Sequence, residues 1–170
     1  METLVSAFQM ARRRILMSSQ YLVLPESLLR ESILEAARRG VDVRILTNSY
    51  VTGMEVGFSA GYLITLRHAG VLIDAGVRIH EMIGSEEEGI PKPYLHAKQF
   101  LVDGRWAAMG SFNLSMRSCF IESENLVVVQ DPDFVRLQED VFRERLERHA
   151  TEMTRESLDR NLEQFRTKIA

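Results

Sequence analysis

A single cysteine among 170 residues cannot close an intrachain disulfide, so nothing points to a small bridge-stapled fold. No apolar run approaches the ~18 residues of a membrane-spanning helix. Residues 1–14 lack a basic stretch followed by an apolar block, so no signal peptide is expected there and the default setting is reducing and intracellular. Ten Gly and four Pro exclude a collagenous or low-complexity chain. Basic excess is also missing. Net charge is −3, and acidic against basic residues run 5 to 7, 6 to 2, 3 to 4 and 10 to 8 over residues 1–48, 49–90, 91–130 and 131–170. No segment forms the cationic stripe that an extended nucleic-acid grip needs. A small phosphate site needs only one or two cations, which charge counting cannot remove.

What is present is a chain 45% hydrophobic, enough for one full core. Its first half reads as alternating helices and strands. Residues 1–13 suit a short helix, and Ile15, Leu16 and Met17 a buried strand. Leu28, Leu29, Ile33, Leu34 and Ala37 have helical spacing, stopped by Gly40. Strands are expected over 41–47 and 77–82, with a helix on Tyr62, Leu66, Ala69 and Ile73 between them. Residues 48–58 and 84–93 read as loops. Three further strands are expected over 95–102, 106–109 and 125–129. A helix then carries Phe134, Leu137, Val141, Phe142 and Leu146, and a last one Leu158, Leu162, Phe165 and Ile169. Strand–helix–strand units imply a parallel or mixed sheet under helices. The expected organisation is one α/β domain over 1–149 with a C-terminal helix over 150–170.

The chemistry concentrates between Tyr94 and Asn125. His96 and Lys98, two apart on an expected strand, leave the same face. A fixed cation beside a group titrating near neutrality suits an anion. Gly110-Ser111-Phe112-Asn113 adds a hydroxyl and an amide donor at a tight turn. Glu124 is placed to orient the imidazole. His68, His80 and His149 read as structural.

The order H-x-K-x4-D-x6-G-S-x-N is filled by His96, Lys98, Asp103, Gly110, Ser111 and Asn113. It resembles the signature of the phospholipase D superfamily. Ser19-Gln20-Tyr21-Leu22-Val23-Leu24-Pro25 and Arg39-Gly40-Val41-Asp42-Val43-Arg44 are similar to segments of bacterial cardiolipin synthases. Thr47-Asn48-Ser49, Ala60-Gly61-Tyr62, Ala75-Gly76-Val77 and Phe112-Asn113-Leu114 with Arg117-Ser118 resemble the cardiolipin synthase C-like branch. The likeness spans residues 10–148 and fits the C-terminal half of a two-signature enzyme. It implies an αβα sandwich with a mixed, mainly parallel sheet plus the C-terminal helical extension.

The resemblance also implies a mechanism. Two signatures, from two halves or two subunits, face each other; one His attacks phosphorus and forms a phosphohistidine while the other protonates the leaving oxygen. The implied catalytic set is His96, Lys98, Glu124 and Asp103, with Asp103 in the family's supporting position and Glu124 bonded to the His. Lys98, Ser111 and Asn113 would hold the substrate phosphate, with no metal and no cofactor. The expected substrate is a phospholipid such as phosphatidylglycerol, nucleic acid being disfavoured by charge. The expected partner is a second copy or a second signature half, and the expected location cytoplasmic or peripheral at the inner membrane face. Two other readings stay open: a single-signature nuclease or phosphodiesterase active as a homodimer, and a non-catalytic half. The chain departs from the family in carrying Glu122-Ser123-Glu124 for Asn-Thr-Glu, Ser59 where His often stands, and one signature in place of two.

Overall fold

The computed structural model describes residues 1–54, 59–83 and 93–166. The expected 84–93 loop lies almost wholly outside them. In chain order come α1 (Glu2–Met10), β1 (Arg14–Ser18), α2 (Leu28–Arg38), β2 (Asp42–Asn48), α3 (Tyr50–Met54), α4 (Ser59–Asp74) and β3 (Arg78–Met82). They are followed by β4 (Gln99–Val102), β5 (Trp106–Gly110), α5 (Met116–Phe120), β6 (Leu126–Val129), α6 (Pro132–His149), β7 (Ala150–Glu152) and α7 (Arg155–Gln164).

Seven strands form one mixed sheet in the order β6-β5-β4-β1-β2-β3-β7. Only β1·β2 and β2·β3 are parallel; β1·β4, β3·β7, β4·β5 and β5·β6 are antiparallel. The sheet is therefore mixed, as expected, but not mainly parallel. Helices α2 and α4 make the crossovers that parallel neighbours β1, β2 and β3 require, whereas the tight turn between β4 and β5 permits only antiparallel pairing.

Alternation along the strands builds the two cores. Ile15, Met17, Val43, Ile45, Ile79 and Phe100 face one side, against Leu4 and Phe8 of α1, Ile33 of α2, Leu66 of α4 and Leu158 of α7. Leu16, Leu46, Met82 and Leu101 face the other, against Val135, Phe142 and Leu146 of α6. Helix starts follow their caps: Ser27 accepts from Arg30 N, Asp131 from Phe134 N and Thr154 from Ser157 N. The C-terminal segment is not a lone helix, because β7 adds to the sheet through pairs such as His80 with Glu152. On α7, Asn161 Nδ2 donates to the Tyr62 hydroxyl at 2.8 Å. Next to that contact is the Glu81 carboxyl, which burial raises to about 7 with the Tyr62 hydroxyl opposing.

Asp103 sits at the β4–β5 turn in the left-handed region, φ 54°. Its carboxylate accepts from the backbone N–H groups of Arg12, Arg13 and Arg14 at 2.8–2.9 Å, fixing the entry to β1. Burial alone would raise its pKa, but those three donors and the Arg13 charge outweigh it and hold the group below its ordinary 3.8. We expect Asp103→Ala to lower stability by on the order of 2–3 kcal/mol, the scale of losing hydrogen bonds to a charged acceptor. A depressed folded pKa contributes stability above the unfolded value and loses it as pH falls through the folded one. Denaturation curves of the two proteins should therefore differ fully at pH 7 and converge below pH ~4.

Candidate active site

His96 and Lys98 do not lie in a strand. Residues 93–98 form an irregular segment leading into β4, so the expected strand over 95–102 begins only at Gln99. The two residues also differ in burial: His96 is exposed and Lys98 is buried. Leu95 shows why the strand does not begin earlier. Its N–H donates to Asn48 Oδ1 at 2.8 Å, and its carbonyl accepts from Asn48 Nδ2 at 2.9 Å. The buried Asn48 side chain thus takes the two groups that a neighbouring strand would otherwise bind. Asn48 Nδ2 also donates to the Gln20 carbonyl at 3.0 Å, and Thr52 of α3 donates to Asn48 Oδ1 at 3.3 Å. Helix α3 itself occupies what the sequence suggested was loop.

Lys98 Nζ donates to its neighbour's carbonyl, His96 O, at 2.8 Å and approaches Gln20 Oε1 at 3.5 Å. Burial lowers the ammonium's pKa and the Glu124 charge opposes that shift. The His96 ring stacks on Tyr94, centroids 6.2 Å apart. Its pKa also falls, first by burial and then by the Lys98 charge, so the neutral imidazole prevails at neutral pH.

The β4–β5 hairpin returns the chain beside Lys98, with Gly110 N donating to Lys98 O at 3.3 Å. A Cβ on Gly110 would meet the Asn125 carbonyl oxygen at 1.9 Å, so only glycine permits this approach. Ser111 and Asn125 then exchange two bonds, each 3.0 Å: Ser111 N to Asn125 O, and Asn125 N to Ser111 Oγ. Glu124 accepts from the Ser111 hydroxyl through one oxygen and from the Ser118 hydroxyl, at 2.5 Å, through the other. Ser118 Oγ also accepts from Asn113 N at 3.2 Å. Asn113 Oδ1 is buried and has no hydrogen-bond partner among the described residues.

Of the sequence-derived residues, the structure gathers Lys98, Ser111, Asn113 and Glu124 into one corner, with His96 at its edge. Asp103 stands outside this corner, in the supporting place expected of it, and the expected bond from Glu124 to His96 is not formed. Asp103 lies at the far end of β4, roughly 20 Å from His96 at ~3.3 Å per residue, and its carboxylate is occupied by backbone. Glu124 makes no hydrogen bond to the His96 ring, because its oxygens hold the two serines. Sequence reasoning had not assigned roles to Asn48, Gln20 or Ser118; Arg117-Ser118 and Thr47-Asn48-Ser49 were noted only as family-like segments.

The family model described as "Cardiolipin synthase, PLD-like domain" matches residues 4–146. The chain belongs to that family. It is 34% identical over 150 residues to cardiolipin synthase A of Erwinia tasmaniensis, covering 85% of this chain and 28% of that protein. It is 33% identical over 133 residues to cardiolipin synthase A of Edwardsiella ictaluri, covering 78% and 24%. It thus spans about a quarter of the length of these relatives. Among solved structures, the phospholipase D family member Nuc from Salmonella typhimurium superposes with a TM-score of 0.68 at 22% identity, covering 90% of each chain. NucT from Helicobacter pylori gives 0.65 at 18%, covering 87% of each. Phosphatidylserine synthase from Haemophilus influenzae gives 0.65 at 15%, covering 98% of this chain and 42% of that one. These three likenesses establish the fold.

Two outcomes test the site. Asn48→Ala should cost on the order of 2–4 kcal/mol by stranding three buried backbone groups, and should speed hydrogen exchange at the Leu95 amide; an unchanged Leu95 rate would show that the bracket does not hold the segment. Lys98→Met removes a positive charge beside His96, so the His96 pKa followed by NMR should rise toward 6.5.

Proposed function

We propose that this domain transfers or hydrolyses a phosphodiester, with a phospholipid as substrate and His96 as one of two reacting histidines. The observation that carries the proposal is the buried Lys98 ammonium grouped with Ser111, the Asn113 amide and a neutral, exposed imidazole. Glu124 acts on this ammonium through its field and forms no ion pair with it among the described residues, and a phosphate oxyanion would supply the direct charge partner that a buried ammonium needs. In the first step a His96 ring nitrogen attacks phosphorus and the P–O bond to the leaving alcohol breaks. A second histidine gives its proton to that oxygen. In the second step an alcohol or water gives its proton back to that histidine and attacks the phosphohistidine, which frees His96. Splitting the displacement in this way is nucleophilic catalysis, and Lys98 with Asn113 steadies the charge on the phosphoryl oxygens. Glu124 is assigned to holding Ser111 and Ser118, and Asp103 to bracing the β1 entry.

One chain supplies one such histidine, so the second is assigned to a second copy or to a second signature half. Exposed apolar side chains around the site corner fit a covered face: Phe120 at 59%, Ile121 at 71% and Val127 at 67%, the last on the unpaired edge of the sheet. Among the described residues no helix is long and apolar enough to cross a membrane.

The lipid reading rests on the 33–34% identity to cardiolipin synthases. The alternative, a single-signature nuclease or phosphodiesterase, is favoured by one observation of size alone: Nuc and NucT, which share the fold, match over nearly their whole chains. Turnover of phosphatidylglycerol by the assembled protein, without cleavage of single- or double-stranded DNA, supports the first; the reverse supports the second; an inert monomer that gains activity only with a second half supports a half-site. His96→Ala should abolish turnover in a folded protein. If two copies of His96 share one site, mixing this variant with active chains should lower activity faster than the mutant fraction rises. A fall in strict proportion would show that each chain works alone.

A further inference from the structure

A second site lies at the end of the sheet opposite His96. A cavity of about 760 Å³ opens under the β4–β5 turn, lined among others by Arg13, Arg14, Arg105, Arg136, Trp106 and Glu139. An adjoining cleft of about 630 Å³ shares Asp103, Arg105, Trp106 and Gln130 and is walled by Thr3, Ser6, Ala7 and Met10 of α1 and by Val102. One end of the combined site is cationic, the other is apolar, and the indole stands between them.

The charges do not close on themselves. Four guanidinium groups meet two carboxylates, Asp103 and Glu139. Asp103 is filled by three backbone N–H groups. Glu139 holds Arg14 through Oε2 at 3.3 Å, and Arg136 holds Asp133 outside the cavity at 2.8 Å. Among the described residues Arg13 and Arg105 form no ion pair, although the Arg13 charge acts on the Asp103 carboxylate, and both are exposed residues lining the cavity. Glu139 is 4% exposed and its Oε1 is buried without a hydrogen-bond partner among the described residues. The Glu139 carboxylate lines this cavity together with the arginines, with one oxygen left unpaired.

We infer that this is a binding site for a phosphate ester that carries a free hydroxyl and an apolar body. The arginines would take the phosphate oxygens, which suit forked guanidinium donors. The Glu139 carboxylate accepts from the hydroxyl, and the apolar body lies along Trp106, Met10 and Ala7. Such a molecule could be a free polyol phosphate or a glycerophospholipid. The site is independent of the chemistry at His96, being separated from it by the length of β4.

Trp106 is the only tryptophan of the chain, so its fluorescence reports on this cavity. The probes are glycerol 3-phosphate, dihexanoylphosphatidylglycerol below its micelle concentration, and dihexanoylphosphatidylcholine, which lacks the hydroxyls. We expect a saturable change in Trp106 emission at low ionic strength. A response at least tenfold tighter for the phosphatidylglycerol than for glycerol 3-phosphate assigns the lipid source; equal responses to the two assign the soluble ester. Phosphatidylcholine should bind more weakly than phosphatidylglycerol, and Arg13→Ala/Arg105→Ala should weaken each response at least tenfold with an unchanged circular dichroism spectrum. Lys98→Ala should leave the responses intact. Emission indifferent to millimolar glycerol 3-phosphate and to the phosphatidylglycerol, a response that survives the double arginine variant, or one lost with Lys98→Ala would overturn the inference. Because the readout is binding at Trp106, its failure leaves the reading of His96 untouched.

Discussion

The site depends on one side chain more than on any residue that would touch substrate. Asn48 stands at the end of β2 and reaches both the chain leaving β1, through Gln20 O, and the segment before β4, through Leu95 N and O. Parallel strands end side by side at the same edge of a sheet, and their carboxyl ends are where α/β folds build sites. The segment carrying His96 arrives at that edge unpaired. A backbone amide and carbonyl buried there need partners. An asparagine amide supplies both in one rigid group, and so sets where Leu95, and with it His96 one residue on, can lie.

That anchoring separates two residues which a strand would have treated alike. With regular alternation, His96 and Lys98 would share one environment. The irregular segment leaves the imidazole exposed and carries the ammonium inward, against two carbonyl-type oxygens and in the field of Glu124. Burial penalises both charged forms, but from different starting points. For His96 the result is a neutral ring, since its ordinary value already lies near neutrality. For Lys98 a lowering still leaves a group that starts at 10.5. One corner therefore brings together an exposed imidazole that is neutral at neutral pH and a buried ammonium.

Much of this was legible in the sequence because it is carried by local pattern. β1, β2 and β3 announce themselves as apolar runs, and the helices by spacing and caps. What could not be read depends on distant partners. Ala150-Thr151-Glu152 has no strand pattern of its own and is extended because β3 offers an open edge. Helix α3 hides behind Gly53, although Ser49 at its start takes the Thr52 N–H as a capping residue would. The Tyr94–Lys98 stretch alternates like a strand, yet its pairing is with a side chain. Glu124 lies beside Ser111 as the sequence grouped them, but its bonding depends on two serines, one after β5 and one on α5.

The spacing of the signature follows from the same geometry. The four residues between Lys98 and Asp103 are β4 itself, Gln99–Val102. The six between Asp103 and Gly110 are the turn and the return along β5, so that Gln99 pairs with Met109 and Gly110 comes back against Lys98. The motif is thus a hairpin written out in order. Its open end holds the ammonium and the Gly-Ser-x-Asn turn, and its closed end holds the aspartate. Adding one residue to either strand would turn the following side chains to the opposite face and break the return to Lys98. Asp103 needs no contact with substrate to hold a fixed place in that order. By gripping three consecutive N–H groups ahead of β1, it ties the closed end of the hairpin to the strand that β4 pairs with. That pairing sets how far the open end projects, and so where Lys98 meets the turn at Gly110.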